Sequence, residues 1–348
     1  MSMIQEQAPQ TYTPAYNDII FVVSSTNVAQ ANFQYVCDLK LVDDNGSITF
    51  AGGATSLRLK CPVDPTYSSG VFNIGKVIET YVSHDIGDAI YGSQKCPNSV
   101  VRVEAEFGEE YGPSSGVTVY AAIINTDTSH TTWNANFDFV DFKNYSKDNY
   151  VVTISTTGRK FLTSRVSSGT IQTSDNAWLY SMSAQNAALG AYVLETWNSA
   201  GAFIARYQLN NNYGTVTTSG TRMIRIPAGL NQFNQIPTAD YQSGAKPVDV
   251  NVARYSIHWE TGTGITNVDR QWYTIDTACT QHTRYRLHFL NKLGGFDSFT
   301  FKLASEFSTN INRRDSCYMN MAYNNSSLCN EVITPQMKQD CQRNAQRR

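Results

Sequence analysis

The sequence is short of charge, of helical periodicity and of long apolar runs, and each shortage excludes something. Asp, Glu, Lys and Arg make up 16% of the 348 residues, where about 25% is usual. With 27 basic against 29 acidic side chains, the formal net charge of −2 gives no electrostatic basis for whole-chain binding to nucleic acid or to an anionic membrane. The longest clean apolar run, Ile19 to Val23, falls far short of the roughly 20 residues of a membrane-spanning helix. Met1 to Gln7 shows no basic stretch leading into an apolar one, so no secretory signal is read there.

Metal and cofactor motifs are also missing. The seven cysteines, at 37, 61, 96, 279, 317, 329 and 341, include no C-x-x-C pair, which removes the common zinc and thioredoxin patterns. Cys37 and Cys61 fall on the apolar phase of alternating runs and read as small buried hydrophobes in a reducing compartment, with disulfides as the alternative. A phosphate loop of the G-x-x-x-x-G-K-[ST] type is absent. The histidines at 84, 130, 258, 282 and 288 are scattered. His258 and His288 lie opposite the apolar phase of their strands and are expected to be exposed or partly covered. These readings assign no cofactor, no metal ligand and no catalytic residue.

What fills the chain is Asn, Gln, Ser, Thr and 20 tyrosines, arranged with a period of two. Phe33, Tyr35, Cys37, Leu39 and Leu41 share one face of a strand that runs into Asp43-Asp44-Asn45-Gly46, a hairpin signal because Asn-Gly accepts positive φ. Val101 to Phe107 alternates in the same way. Ile74, Val77, Ile78 and Tyr81 follow the i, i+3, i+4, i+7 stripe of a short amphipathic helix over 71–82. The expectation is a mainly all-β chain of tandem sandwich domains. A first sandwich occupies 14–125 after an N-terminal extension, 1–13; a linker covers 126–148; a second sandwich covers 149–230. A further linker, 231–247, precedes a third β-domain, 248–304. Alternation stops after that, and 305–348 reads as an assembly arm or a solvated tail, with Thr334-Pro335 opening a last helix.

Three patterns could carry chemistry. Gly112-Pro113-Ser114-Ser115-Gly116 matches G-x-S-x-G, but the following Val117 to Tyr120 is strand-like, whereas a nucleophile elbow needs a helix. A hairpin loop fits better. Glu104, Glu106, Glu109 and Glu110 offer carboxylates for glycoside hydrolysis, but Glu104 and Glu106 share the solvent phase of a strand. Trp178, Trp197, Trp259 and Trp272 could stack on sugars; their strand positions favour core packing.

Two segments, Pro14 to Asn27 with Phe33-Gln34-Tyr35-Val36 and Gly70-Val71-Phe72-Asn73-Ile74, and Tyr285 to Phe301, resemble segments of virion structural proteins of tailed bacteriophages, especially phages of Bacteroidota. The resemblance implies immunoglobulin-like sandwiches in the tail or head–tail region of a virion assembled in the host cytoplasm. The partners it implies are other virion proteins and further copies of the chain, rather than nucleic acid or membrane. A receptor- or glycan-binding adhesin of the virion is the alternative, and an enzyme is the disfavoured third reading. In the second segment Gly294 and Gly295 are expected at a hairpin tip, with Tyr285, Leu287 and Phe289 facing the same core as Phe299, Phe301 and Leu303.

Overall fold

Alternating apolar residues build the first sandwich. Its strands are β1 (Met3–Gln7), β2 (Tyr12–Pro14), β3 (Ile20–Ser25), β4 (Gln34–Asp43), β5 (Gly46–Ser47), β6 (Leu57–Pro62) and β7 (Ser69–Asn73). After helix α1 (Gly75–Ile78) come β8 (Gln94–Lys95), β9 (Val100–Tyr111) and β10 (Tyr120–Trp133). The computed structural model describes residues 3–301 except 44–45, 85–90, 114–119, 154–156, 185–189, 210–221, 243–244, 248–250, 261–263, 265 and 278–283. Sheet β1-β3-β7 packs on sheet β2-β10-β9-β4-β5, with β6 paired to β4. Between them lie Phe21, Val23 and Phe72 from one side and Tyr35, Cys37, Leu39, Leu41, Val103 and Phe107 from the other.

The second half contributes α2 (Phe139–Lys143), β11 (Val151–Val152), β12 (Ser168–Ile171), β13 (Trp178–Ser183), β14 (Ala191–Trp197), β15 (Phe203–Leu209) and β16 (Arg222–Pro227). It continues with α3 (Leu230–Gln235), β17 (Arg254–Glu260), β18 (Thr266–Ile275), β19 (Tyr285–Leu290) and β20 (Phe296–Phe301). Sheet β11-β13-β16-β8 faces sheet β12-β18-β17-β14-β15 across a core that includes Leu179, Ile224, Ile226, Leu194, Tyr255, Ile257 and Trp259. The described residues thus form all-β sandwiches. They belong to a unit spanning Met1–Cys279 and Tyr285–Phe301; of a second unit, Thr280–Arg284 with Lys302–Arg348, only Arg284 is described.

Several expected boundaries move. Of the expected N-terminal extension 1–13, the described residues 3–13 join the first sandwich: β1 pairs with β3, and Met3 is 1% exposed in the first core. The helix expected over 71–82 is a single turn, because β-prone Val71 and Phe72 extend β7 along β3. Its stripe is real all the same, with Ile74 and Ile78 fully buried. The supposed linker 126–148 carries the end of β10, whose Trp133 is fully buried, and α2. The supposed linker 231–247 carries most of α3, which buries Phe233. The two later blocks also merge, since β17 lies between β14 and β18. Each needs the others: β14 and β17 hold buried residues on both strands, and a lone hairpin could not cover them. The C-terminal arm, its Thr334-Pro335 helix start and Ser114 lie outside the described residues.

The two sandwiches are joined by backbone. β8 adds to the edge of β16, Lys95 opposite Ile224. Trp133 donates its indole N–H to the Leu293 carbonyl at 3.1 Å, and Asn136 N–H reaches the Lys292 carbonyl at 2.9 Å. Cys96, Val100, Trp133, Phe137, Tyr180, Met182, Met223 and Leu293 form the shared core there. Gly294 sits in the same joint with φ +88°, and a Cβ on it would stand 2.0 Å from the Asn134 carbonyl oxygen. Gly201, with φ +78°, has nothing within 4 Å. Gly294→Ala is therefore expected to cost about 3 kcal/mol or more, through strain plus collision, and Gly201→Ala about 1 kcal/mol through strain alone. Chemical denaturation of the two variants measures the difference.

Candidate functional site

The β19–β20 hairpin presents an exposed apolar face of four large side chains, and its sequence explains how. Antiparallel pairing sets Tyr285 opposite Phe301 and Leu287 opposite Phe299. Tyr285, Leu287, Phe289, Asp297, Phe299 and Phe301 therefore share one face; Arg286, His288, Leu290, Phe296, Ser298 and Thr300 share the other. The expected register holds, but the expected direction is reversed. Leu287, Phe289, Phe299 and Phe301 are 51%, 47%, 47% and 49% exposed, and the rings of Phe299 and Phe301 lie 4.9 Å apart.

The cause is polar. Arg286 turns inward and donates to the Asn176 carbonyl at 2.8 Å, Asp175 Oδ2 at 3.1 Å, Thr300 Oγ1 at 2.7 Å and Ser298 Oγ at 2.5 Å. Burial pulls the guanidinium below its ordinary range and Asp175 opposes that; an arginine nonetheless stays charged. Asp297, 5% exposed, accepts from Thr163 Oγ1 at 2.5 Å and Ser164 N at 3.0 Å. Arg286 thus fixes the opposite face inward; Asp297, on the aromatic side of the pairing, is covered by the 163–164 segment, and Leu287, Phe289, Phe299 and Phe301 are left outside. The alternating pattern was legible in the sequence; its direction depended on Asp175, distant in the chain.

The sequence-derived candidates disperse. Glu109 is fully buried and accepts from Ser25 Oγ at 2.6 Å and Asn27 Nδ2 at 2.7 Å. Its neighbour Glu110 points to the opposite face, to Lys60 Nζ at 2.5 Å and Arg58 Nη1 at 3.2 Å. Glu106 pairs with Lys40 at 2.7 Å and Glu104 with Arg102 at 3.4 Å. Each carboxylate thus has partners of its own, and Glu109 and Glu110 do not face one another across a cleft. Of the G-x-S-x-G segment only Gly112 and Pro113 are described. Burial pushes the Cys37 thiol up to about 12, which makes it inert.

Among the tryptophans Trp259 is core, donating to Ser181 Oγ at 3.1 Å. Trp178 lies under the Arg225 guanidinium, 3.5 Å from the ring centre. Trp197 and Trp272 are half-buried together on the outer face of a sheet. His288 is exposed, as expected, but His258 is fully buried, with Nε2 2.8 Å from Glu260 Oε1. Arg206 also binds Glu260, while Arg270 binds Glu195.

The described residues define an all-β protein of joined sandwiches with an outward apolar hairpin. No protein-family model and no curated protein matches the chain. Among solved structures it is similar to trypsin-activated alpha-2-macroglobulin from Escherichia coli, at 8% identity and a TM-score of 0.21 over 87% of this chain and 22% of that one. It is also similar to red sea bream transglutaminase, at 9% identity and a TM-score of 0.18 over 80% of this chain and 32% of that one. The chain spans less than a third of the length of either, and TM-scores this low assign neither a shared fold nor an activity.

Two outcomes follow from the geometry. Arg286→Met leaves the Asp175 carboxylate without its buried partner and is expected to cost about 3 kcal/mol in urea unfolding. The second concerns pH. Burial holds the His258 imidazole below its ordinary value, with the Glu260 hydrogen bond opposing. The folded state therefore binds fewer protons than the unfolded chain. The stability that neutral His258 permits is complete above about pH 6.5 and falls as the solution is acidified below it. His258→Gln should flatten the slope of unfolding free energy from about pH 7 to about pH 5, whatever its effect on stability at neutral pH.

Proposed function

We propose that the chain is a structural component of a tailed-bacteriophage particle, in the tail or head–tail region, built from immunoglobulin-like sandwiches that hold neighbouring virion proteins in place. The single observation that supports this most is the β19–β20 face: four large apolar side chains, each about half exposed, displayed side by side on a braced hairpin. Contiguous exposed apolar area of this kind marks a protein–protein contact. Bracing by Arg286, Asp297 and the Leu293 joint fixes the face before a partner arrives, so little ordering entropy opposes docking. The resemblance of Pro14–Asn27 and Tyr285–Phe301 to virion proteins points the same way, and the hairpin is one of those segments. On this reading the chain acts by holding geometry rather than by chemistry.

Replacing Phe299 and Phe301 by Ser tests the reading. Because both side chains are half exposed, the isolated protein should keep its Tm to within about 2 °C. Particles purified from cells that supply only the variant should lack the chain by mass spectrometry, while wild-type particles contain it in fixed stoichiometry. Absence of the wild-type chain from particles, or normal incorporation of the variant, would overturn the proposal.

A further inference from the structure

We infer that the outer face of the β12-β18-β17-β14-β15 sheet carries a binding site for a saccharide that bears a carboxylate. The inference stands independently of the virion reading, since it uses a different surface. Tyr255, Leu194, Tyr273 and Ile275 point into the core, so the residues alternating with them point outward. Pairing of Thr170 with Thr274, Thr274 with Arg254, Arg254 with Trp197 and Trp197 with Phe203 sets one continuous row across all five strands. Thr170, Thr274, Arg254 and Phe203 are exposed and Trp197 is half-buried. Trp272 adjoins the row from the next pair along.

The row is amphipathic in a particular way. The Trp197 and Trp272 rings lie 4.8 Å apart at 40°, and Phe203, 56% exposed, stands edge-on to Trp197 at 5.8 Å. The Arg254 guanidinium sits 5.6 Å from the Trp197 ring centre and 5.3 Å from that of Trp272. Threonine hydroxyls continue from there to the sheet edge. Exposed aromatic surface, a guanidinium resting against the Trp197 and Trp272 rings and hydroxyls in sequence provide ring contact, a carboxylate partner and hydrogen bonds. Neighbouring strands step about 4.8 Å apart, close to the width of one pyranose ring.

Charge selects an acidic ligand. Elsewhere on this face the ions neutralise each other, Arg206 with Glu260 and Arg270 with Glu195. Arg254 has no carboxylate partner among the described residues, and its planar fork suits a ligand carboxylate. A neutral glycan would leave that charge unused, and an apolar protein surface would have to desolvate it.

Affinity electrophoresis of the full chain through gels containing polygalacturonate, alginate, polysialic acid or neutral dextran tests the site. Retardation by at least one acidic polysaccharide and none by dextran is expected, with Trp fluorescence changing on titration. Arg254→Gln and Phe203→Ala, both at exposed positions, should each weaken binding by roughly tenfold with unchanged thermal unfolding. The inference is overturned if no acidic polysaccharide retards the protein, or if the two variants bind like wild type. It is equally overturned if double-stranded DNA retards the chain as strongly and added salt abolishes both effects, the mark of a non-specific polyanion contact.

Discussion

The hairpin's orientation depends on one buried ion pair. Arg286 and Asp175 are each 14% exposed in their side chains and meet at 3.1 Å, and three further guanidinium N–H groups donate to Ser298, Thr300 and the Asn176 carbonyl. A buried pair of this kind adds little net stability over an apolar substitute, yet it is costly to break. Its effect is on specificity: only one face of β19–β20 can satisfy Arg286, so the aromatic face must look outward. The chemistry that normally places a strand's apolar side inward is overruled by a charge that finds its partners only with the opposite side turned in.

A second constraint makes the two sandwiches continuous. Trp133 closes β10 with its ring in the core and its N–H on Leu293, while β8 completes the edge of β16. The first sandwich, the β11-β13-β16-β8 sheet and the hairpin loop therefore share one apolar cluster. Gly294 permits it, because the loop passes so close to Asn134 that no side chain fits. Both proposed surfaces, the hairpin face and the aromatic row, are in this way carried on β-scaffold rather than on isolated loops, and a rigid scaffold suits surfaces that act by geometry.

The alternation of Phe33 to Leu41 and of Val101 to Phe107, the Ile74–Ile78 stripe and the Tyr285–Phe301 pairing were all readable, because strand period and residue type are local properties. The sequence by itself determined an all-β sandwich chain and the partition of each strand into two faces. Tertiary structure alone decided which face is buried and which strands are neighbours. Asp175 lies 111 residues from Arg286, and β17 finds β14 across a segment, 231–247, that looked like a linker. His258 is buried by the same long-range packing, on a strand phase that composition marks as solvent-facing. Trp197, Trp272 and Arg254 meet only because β14, β17 and β18 pair in that order. Burial and charge satisfaction are sums over residues far apart in the chain, so no local window contains them.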